Sequence, residues 1–378
     1  MKIIFPYIGD TVGGSHISSA LLIEELRHRG HDVLIILHQR GVFASELKRR
    51  KLPYLVWDLS LYYGRRPKKL TDLALGLMQL ISIVFRLIRD KPDLVHSNDL
   101  RCHVTWVLLS RVTGIPLVWH QRTLLPNSRL VKYSARFAKG IISISRFVAE
   151  SLPTSNNSLS IMLPNPVAHL DVKMSTRAHS KSIIERATGI DQNYSLIGTF
   201  GNLREVKDPL LFINAMIELD KITSQQLIVA VFGDDREEYR PRMRALIENS
   251  QFKGRVLFAK FRRPIEPWIS VCDVVVATSS GDGFGRSLVE AMSLGVPVVA
   301  TAIGGHLEII EDSTNGLLSR PGDSSHLAKQ VKSILGPSPL RDYLINRGKL
   351  DAQRKYSVIH HTNQVMTFYR QLKKTFQK

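Results

Sequence analysis

The chain has 378 residues, of which 44% are hydrophobic and 22% are charged, and this composition excludes a long disordered or collagenous protein. The length suits two α/β domains better than a single core. The two cysteines, Cys102 and Cys272, are too few for a disulfide framework and too far apart for a CxxC site, so a reducing compartment is expected.

The net charge of +19 is distributed unevenly along the chain. The first 190 residues carry 27 basic and 13 acidic side chains, against 25 and 20 in the remainder. This asymmetry favours a polyanionic partner for the first half, either nucleic acid or an anionic membrane surface, although a solvated basic face has the same charge. No RNP-like aromatic strand or zinc-finger spacing accompanies the basic residues, so nucleic acid is not the expected partner.

Short, continuously apolar runs alternate with helical stretches, as expected of parallel strands that are covered on both faces. The runs form two series, the first at 2–5, 33–37, 94–96, 117–120 and 141–144, the second at 195–200, 227–232, 256–258, 274–277 and 298–301. The series predict an α/β fold with two doubly wound parallel sheets. The expected boundaries are an N-terminal domain at 1–168, a linker at 169–191, a second domain at 192–355 and a closing helix at 356–378. The run at 2–5 is too short for a secretory signal and is interpreted as a strand.

The longest apolar stretch, at 70–88, is interrupted by polar and charged residues and predicts a helix that does not span a membrane. Four basic residues precede it, namely Arg65, Arg66, Lys68 and Lys69. A cationic loop followed by an apolar helix is typical of a segment that docks on anionic lipid. A buried core helix beside a soluble basic loop would give the same pattern.

Two glycine-rich turns are candidate ligand sites. Gly13 and Gly14 follow the first strand and open an amphipathic helix, where a phosphate or sugar can approach the backbone, although two glycines also make an ordinary tight turn. The second turn follows the strand at 274–277, and residues 279–291 read Ser-Ser-Gly-Asp-Gly-Phe-Gly-Arg-Ser-Leu-Val-Glu-Ala. Its glycines free the backbone to wrap a ligand, and the helix that follows directs amide groups and partial positive charge at the turn, which suits a pyrophosphate.

Two carboxylates frame this second turn. Asp282 lies in the loop, where it can hold the hydroxyls of a sugar, and Glu290 lies deeper in the helix, where it can accept hydrogen bonds from a ribose. A turn aspartate beside a solvated helix acid is the alternative interpretation.

This stretch resembles the signature of the family 4 glycosyltransferases of the GT-B fold. The signature is an acidic residue, seven residues and a glutamate, here Asp282 to Glu290, followed by Gly-Val-Pro-Val-Val-Ala-Thr at 295–301. The similarity extends to 304–310, 315–318 and 321–323 and, upstream, to Gly-Asn-Leu-Arg-Glu-Val-Lys at 201–207. The resemblance implies two Rossmann-like domains that face each other across a cleft.

The resemblance also implies roles for individual residues. Lys207 would contact the donor diphosphate, Glu290 the ribose and Asp282 the transferred sugar. A loop at Phe261 would meet the nucleotide base through backbone groups. The remaining expected donor-binding residues are Gly14, Asn202, Arg204, Gly283, Phe284, Gly285, Arg286, Ser287 and Leu288.

His120 ends the strand at 117–120, and ligands of parallel sheets bind at such strand ends. In the resembled family a histidine there points at the donor sugar near the reacting carbon, so His120 joins Lys207, Asp282 and Glu290 as a predicted catalytic residue. His96 ends the preceding strand and is expected to line the same cleft. A histidine that is simply packed at a strand end is the alternative.

Two residues depart from the family pattern. Asp282 stands where glutamate is usual, and Asn202 stands where arginine is usual, so one acid is shorter and one cation is missing. Arg204 is a candidate to restore the missing charge. The departures also leave open an inactive homologue.

The resemblance implies a retaining glycosyltransferase that needs no cofactor and no metal and uses a UDP- or GDP-linked sugar. The sequence contains no Asp-x-Asp motif and no His/Cys cluster with ligand spacing. The expected acceptor is a saccharide or a lipid-linked sugar of bacterial lipopolysaccharide, capsule or exopolysaccharide synthesis. The expected location is the cytoplasm, peripheral on the inner membrane. A sugar-nucleotide epimerase or hydrolase and a basic nucleic-acid-binding protein are the alternatives.

Overall fold

The computed structural model describes residues 1–65, 67, 69–153, 158–168, 171–235, 237–252, 254–260 and 262–376. The chain folds into two compact units. The first unit contains Met1–Pro166 together with the C-terminal segment that begins at Val358, and the second contains Val167–Ser357.

The described residues of the first unit form a seven-stranded parallel sheet in the order β3-β2-β1-β4-β5-β6-β7. The strands are β1 (Lys2–Tyr7), β2 (Asp32–Leu37), β3 (Tyr54–Val56), β4 (Leu94–Ser97), β5 (Leu117–Gln121), β6 (Gly140–Ser143) and β7 (Leu159–Met162). The helices before the second unit are α1 (Gly14–His28), α2 (Val42–Arg49), α3 (Leu70–Asp90), α4 (Leu100–Thr113), α5 (Arg129–Ala135) and α6 (Arg146–Ala149).

Strand β1 shows why apolar and polar residues do not alternate in the first apolar run. Its residues Ile3, Phe5 and Tyr7 belong to one buried cluster with α1 and α2. Ile4 and the following Ile8 belong to a second cluster with α3 and α4. Because successive side chains of a strand point to opposite faces, a strand that is covered on both faces must be apolar throughout.

The second unit is built in the same way, with a six-stranded parallel sheet among its described residues in the order β10-β9-β8-β11-β12-β13. The strands are β8 (Tyr194–Phe200), β9 (Gln226–Phe232), β10 (Arg255–Ala259), β11 (Val274–Ala277), β12 (Val298–Thr301) and β13 (Leu317–Ser319). The helices are α7 (Met174–Thr188), α8 (Pro209–Ile222), α9 (Tyr239–Glu248), α10 (Glu266–Ile269), α11 (Arg286–Ser293), α12 (His306–Ile309), α13 (Ser324–Ser333) and α14 (Pro339–Lys355). The predicted class, two doubly wound parallel sheets, is confirmed.

The strand order of the second sheet reverses at β8, which pairs with β9 on one side and with β11 on the other. At such a switch point the loops after the two neighbouring strands diverge and leave a crevice at their carboxyl ends. The segments 201–207 and 278–285 follow β8 and β11, so the topology brings them together although they are distant in sequence.

The segment 169–191, expected to be a linker, contains helix α7 and belongs to the second unit. Ile184 of α7 is fully buried, and the helix packs against β10 and α10. The polar composition of this segment reflects a helix with one narrow buried side, because most of its other residues face solvent.

The last helix, α15 (Val358–Phe376), belongs to the first unit and begins two residues later than the expected closing helix. Its buried side chains Phe368, Tyr369 and Leu372 lie in the same cluster as β1. Gly140 of β6 makes room for this helix, because a Cβ there would lie 2.8 Å from a ring carbon of Phe368. Helix α15 therefore completes the core of the first unit.

We expect Phe368→Ala to lower the free energy of unfolding of the first unit by about 3–5 kcal/mol, because it leaves a cavity between α15 and the sheet. Ile359, which is 62% exposed on the same helix, supplies the control, and Ile359→Ala should change stability by less than about 0.5 kcal/mol. Hydrogen exchange of the β6 amides along a urea titration measures the free energy of unfolding of the first unit in both variants. Equal losses would contradict the role given to α15.

Candidate active site

Lys207 and Asp282 meet at the switch point of the second unit. Lys207 ends a short 3-10 turn after β8, and Asp282 lies in the turn between β11 and α11. Their side chains form an ion pair between Nζ and Oδ2. The hydroxyl of Thr278 joins the two segments by donating to the carbonyl of Lys207 at 3.0 Å. The fold thus brings together two of the residues predicted to be catalytic.

Asp282 keeps its charge although it is largely enclosed. Burial disfavours the carboxylate because it removes hydration, but the Lys207 ammonium and the nearby His306 outweigh this and hold the pKa of Asp282 well below its usual range. The amide of Phe284 also donates to Oδ1 at 3.3 Å. At neutral pH Asp282 is therefore a fixed acceptor of hydrogen bonds.

His306 is a site residue to which the sequence analysis gave no role. Its ring is fully buried, and Nδ1 lies 3.1 Å from the carbonyl oxygen of Thr301, which can only accept, so Nδ1 carries a proton. Its Nε2 lies 3.8 Å from Oδ2 of Asp282. The sequence signal that could have indicated His306 is its position directly after two glycines at 304–305, shortly after the buried strand β12 ends.

Gly285 is required at the start of α11 for two reasons. Its φ of +81° lies in the left-handed region, which side chains disfavour. A Cβ at this position would also lie 2.8 Å from Cδ2 of His306. The turn can pack against the imidazole only because residue 285 has no side chain.

Glu290 lies one turn into α11 and accepts a hydrogen bond from Nε of Arg286 at 2.7 Å. Its side chain is buried, and burial raises the pKa of Glu290 although Arg286 partly offsets the effect. The arrangement holds a carboxylate in one orientation within a poorly hydrated environment. Such a carboxylate is suited to accept hydrogen bonds from a pair of hydroxyl groups.

A pocket of about 390 Å³, counting its part that is open to solvent, lies beside these residues. Four predicted donor-binding residues line it, namely Asn202, Lys207, Asp282 and Ser287.

The other predicted donor-binding residues of the second unit have different environments. The Arg204 side chain is 60% exposed and lies 3.4 Å from Glu237, so it faces that acid. Phe284 and Leu288 are buried, which leaves their backbone groups as the parts available to a ligand. The carbonyl oxygen of Gly283 lies so close to Gly305 that a Cβ at residue 305 would be 2.5 Å from it. Phe261 lies outside the described residues.

In the first unit, Gly14 opens α1 after the N-cap residue Gly13. The ring of His16 closes this turn, because its Nδ1 accepts from the Gly13 amide at 3.2 Å and the ring packs against Tyr7 and Phe43. Burial lowers the pKa of His16 to about 4, so the ring is neutral at pH 7. A ligand contact of Gly14 stays a prediction.

His120 lies at the carboxyl end of β5 and is fully buried. Its Nδ1 lies 3.1 Å from Nε2 of His96 and 3.2 Å from Nη2 of Arg122. The His361 ring of α15 stacks on it with a centroid distance of 5.9 Å. Within the described part of the chain, Nε2 of His120 has no hydrogen-bond partner. His96 therefore lies beside His120, and its expected position in a cleft stays a prediction.

The basic segment and the apolar helix that follows it are largely exposed. Arg65 and Lys69 are exposed, whereas Arg66 and Lys68 lie outside the described residues. Helix α3 is long and apolar enough to cross a membrane by length and composition, and only 17% of its apolar 18-residue window is buried, so it is not a buried core helix. Its exposed apolar side chains are Leu70, Leu73, Leu75, Leu77, Met78, Ile81, Phe85 and Ile88.

Comparison with known families gives two matches that together cover most of the chain. Residues 180–351 match the family described as "Glycosyl transferases group 1". Residues 12–167 match the family described as "Glycosyltransferase Family 4".

Individual relatives agree with these matches. An uncharacterized glycosyltransferase from Methanocaldococcus jannaschii is 24% identical over 92% of this chain and 91% of that protein. The lipopolysaccharide core biosynthesis mannosyltransferase LpsB from Rhizobium meliloti is 23% identical over 81% and 89%. HepE from Anabaena, solved with UDP, superposes with a TM-score of 0.81 at 22% identity over 98% of this chain and 100% of that one. Its complex with UDP-glucose superposes with a TM-score of 0.78 at 23% identity, over 100% and 99%.

We expect Lys207→Met to destabilise the second unit by about 1–2 kcal/mol at neutral pH, because it leaves an enclosed carboxylate with one partner fewer. The depressed pKa of Asp282 stabilises the fold above about pH 3.9, the unfolded value, and this contribution is lost as pH falls further. The difference between variant and wild type should therefore shrink near pH 3.

Urea unfolding at pH 7 and at pH 3, followed by the fluorescence of Trp268, measures this change. Lys221→Met is the matched control, since Lys221 forms an exposed pair with Glu218 at 2.7 Å. A loss that is the same at both pH values would show that the Lys207–Asp282 pair is not its source.

Proposed function

We propose that this chain, which belongs to the family 4 glycosyltransferases of the GT-B fold, moves a sugar from a UDP- or GDP-linked donor to an acceptor hydroxyl. The transfer is proposed to retain the configuration at the anomeric carbon. The observation that carries this proposal is the Lys207–Asp282 pair, held beside the glycine-rich start of α11 at the switch point of the second unit. The solved complexes of HepE with UDP and with UDP-glucose, in the same fold, support a nucleotide-sugar donor.

Lys207 is proposed to bind the diphosphate. Its side chain is 35% exposed and its ammonium pairs with Asp282, so a phosphate oxygen can share the same cation. The first amides of α11 add partial positive charge at the turn. We propose that these groups stabilise the negative charge that develops on the β-phosphate and that they do so without a divalent metal.

Glu290 is proposed to hold the ribose. Its carboxylate is oriented by Arg286, and a carboxylate has several lone pairs, so it can also accept from the two ribose hydroxyls. The buried environment strengthens each such hydrogen bond.

Asp282 and His306 are proposed to position the transferred sugar. The charged Asp282 accepts hydrogen bonds from sugar hydroxyls, and His306 supports the shorter aspartate where the family usually has glutamate. In the reaction the bond between the anomeric carbon and the β-phosphate oxygen breaks while the acceptor oxygen attacks from the same face. The acceptor's proton leaves with the nucleoside diphosphate.

The acceptor is proposed to be a saccharide or lipid-linked sugar of bacterial surface polysaccharide synthesis, and the protein to lie on the cytoplasmic face of the inner membrane. The LpsB relative, named for lipopolysaccharide core synthesis, supports this acceptor class.

Helix α3 supports a membrane surface as partner. Gly76, Ile83 and Leu87 form its buried side, and a Cβ at residue 76 would lie 2.5 Å from Cβ of Leu61, so the helix is packed closely on the unit. The opposite side presents the exposed apolar side chains, and Lys69 and Arg65 precede it. A helix that is anchored on one side, apolar on the other and flanked by cations is suited to lie in the interface of an anionic bilayer.

For the donor site, we expect Glu290→Gln to lower transfer and nucleotide affinity by about 10- to 100-fold, since it removes a charged acceptor from the ribose hydroxyls. A thermal-shift screen with UDP, GDP and ADP identifies the nucleotide, and transfer of labelled sugar to an acceptor separates transfer from hydrolysis. Glu248→Gln, on the exposed side of α9, is the control. Wild-type activity in Glu290→Gln would refute the donor site.

For the membrane surface, we expect Met78→Gln with Phe85→Gln to weaken binding to anionic vesicles by roughly tenfold or more, because two apolar side chains no longer enter the bilayer. The matched control is Met174→Gln with Ile359→Gln, which alters two exposed apolar residues elsewhere. Flotation at low and high salt measures binding, and alkaline extraction releases a helix that lies in the interface but not one that spans. Unchanged flotation after neutralising Arg65, Arg66, Lys68 and Lys69 would contradict the electrostatic contribution.

A further inference from the structure

A chain of hydrogen bonds in the first unit ends at His120. The hydroxyl of Tyr369, on α15, bonds to Nδ1 of His96, and Nε2 of His96 lies 3.1 Å from Nδ1 of His120. Arg122 approaches the same Nδ1 at 3.2 Å through Nη2. The ring of Phe5 stacks on His96 at a centroid distance of 4.8 Å, so the imidazole has little freedom to turn.

Arg122 itself is held in place by two side-chain amides. Its Nε donates to Oδ1 of Asn98 at 2.9 Å, and its Nη1 donates to Oδ1 of Asn165. The guanidinium is buried, with 6% of the residue exposed. Its orientation toward His120 is therefore determined by contacts that do not involve the histidines.

The direction of each hydrogen bond between Tyr369, His96 and His120 follows from one property of Arg122. A guanidinium can only donate, so Nδ1 of His120 must accept and the ring proton of a neutral His120 must lie on Nε2. Nε2 of His96 meets the same accepting nitrogen and must therefore donate. Nδ1 of His96 is then an acceptor, and Tyr369 donates to it.

The ionisation states agree with this direction. Burial, with Arg122 as the next cause, lowers the pKa of His96 and of His120 well below the usual value, and His361 and His103 act in the same sense on both rings. Burial raises the pKa of the Tyr369 hydroxyl, which keeps the proton that it donates.

We propose that Arg122 is a positioning residue that sets the direction of the chain from Tyr369 through His96 to His120, and so presents His120 as a neutral donor through Nε2–H. This inference rests on the proposed function for its ligand, an oxygen of the sugar substrate. The buried and unpartnered Nε2 is the atom that the ligand would meet. His120 then stabilises substrate by donating a hydrogen bond, and it cannot act as the base that removes the acceptor's proton.

The experiment is long-range ¹H–¹⁵N correlation spectroscopy of the full chain with ¹⁵N-labelled histidine rings, which distinguishes protonated from unprotonated ring nitrogens. The His120 signals are assigned by their loss in His120→Gln. We expect wild-type His120 to carry its proton on Nε2 throughout pH 6 to 8. A proton on Nδ1 would overturn the proposal without any variant.

Three variants separate direction from simple disruption of the network. Arg122→Met removes the obligatory donor, so the chain can run either way and His120 should populate both tautomers. Arg122→Lys keeps a group that can only donate and should restore Nε2–H. Tyr369→Phe removes the terminal hydroxyl but not the fixed donor, so His120 should keep the wild-type tautomer.

An unchanged tautomer in Arg122→Met would overturn the proposal, as would the same mixture in Tyr369→Phe. Should Arg122→Met fail to fold, the wild type, Arg122→Lys and Tyr369→Phe still decide the question. In transfer assays we expect Arg122→Met to lower kcat about tenfold with less than about threefold change in the KM of the donor, and Arg122→Lys to recover most of the loss. Absence of transfer by the wild type with any donor would refute the proposed function, whereas the spectra would still decide the direction of the chain.

Discussion

The pairing of β8 with β9 on one side and β11 on the other is the constraint on which the candidate site depends. Because the loops after β8 and β11 diverge from adjacent strand ends, Lys207 and Asp282 meet without any long insertion. The first unit repeats this arrangement at β1, which lies between β2 and β4. There Arg101 makes two bonds of 2.7 Å to the carboxylate of Asp10, and these bonds join the loop after β1 to the first turn of α4.

The two units treat buried ionisable groups in opposite ways. In the second unit a cation lies beside each of the two site carboxylates, so Asp282 keeps its charge beside Lys207 and Glu290 is oriented by Arg286. In the first unit burial, with the Arg122 guanidinium as the next cause, lowers the pKa of His96 and His120 and keeps both rings neutral. The first arrangement suits the binding of a charged leaving group together with hydroxyls, and the second suits a hydrogen bond of defined direction.

The sequence predicted those features that depend on local pattern. Strands covered on both faces appear as continuous apolar runs, and the need for backbone freedom at the start of α11 appears as Gly283 and Gly285. The roles of Lys207 and Asp282 came from a resemblance to known enzymes, since neither residue is informative alone. Strands β3 and β13, with three residues each, are too short to leave a pattern.

Features that depend on distant partners could not be predicted. The segment that forms helix α7 was expected to be a linker. The helix is stabilised by the burial of Ile184 and by packing against β10 and α10, and the local sequence does not reveal these tertiary contacts. His306 and Arg122 acquire their importance from Asp282 and His120 respectively, and those contacts exist only after folding. The tautomer of His120 is still harder to predict from the sequence, because it depends on which atoms of the neighbouring side chains can donate a hydrogen bond.

Helix α15 also has a consequence for the order in which the protein is made. The first unit closes with residues that leave the ribosome only after the whole of Val167–Ser357, about 190 residues later. At synthesis rates of about 5–20 residues per second, the part of the first core that α15 completes stays open for roughly 10 to 40 s. During that interval the nascent first unit exposes the apolar side chains that α15 later buries, while the second unit, whose residues are contiguous, is free to fold as it emerges.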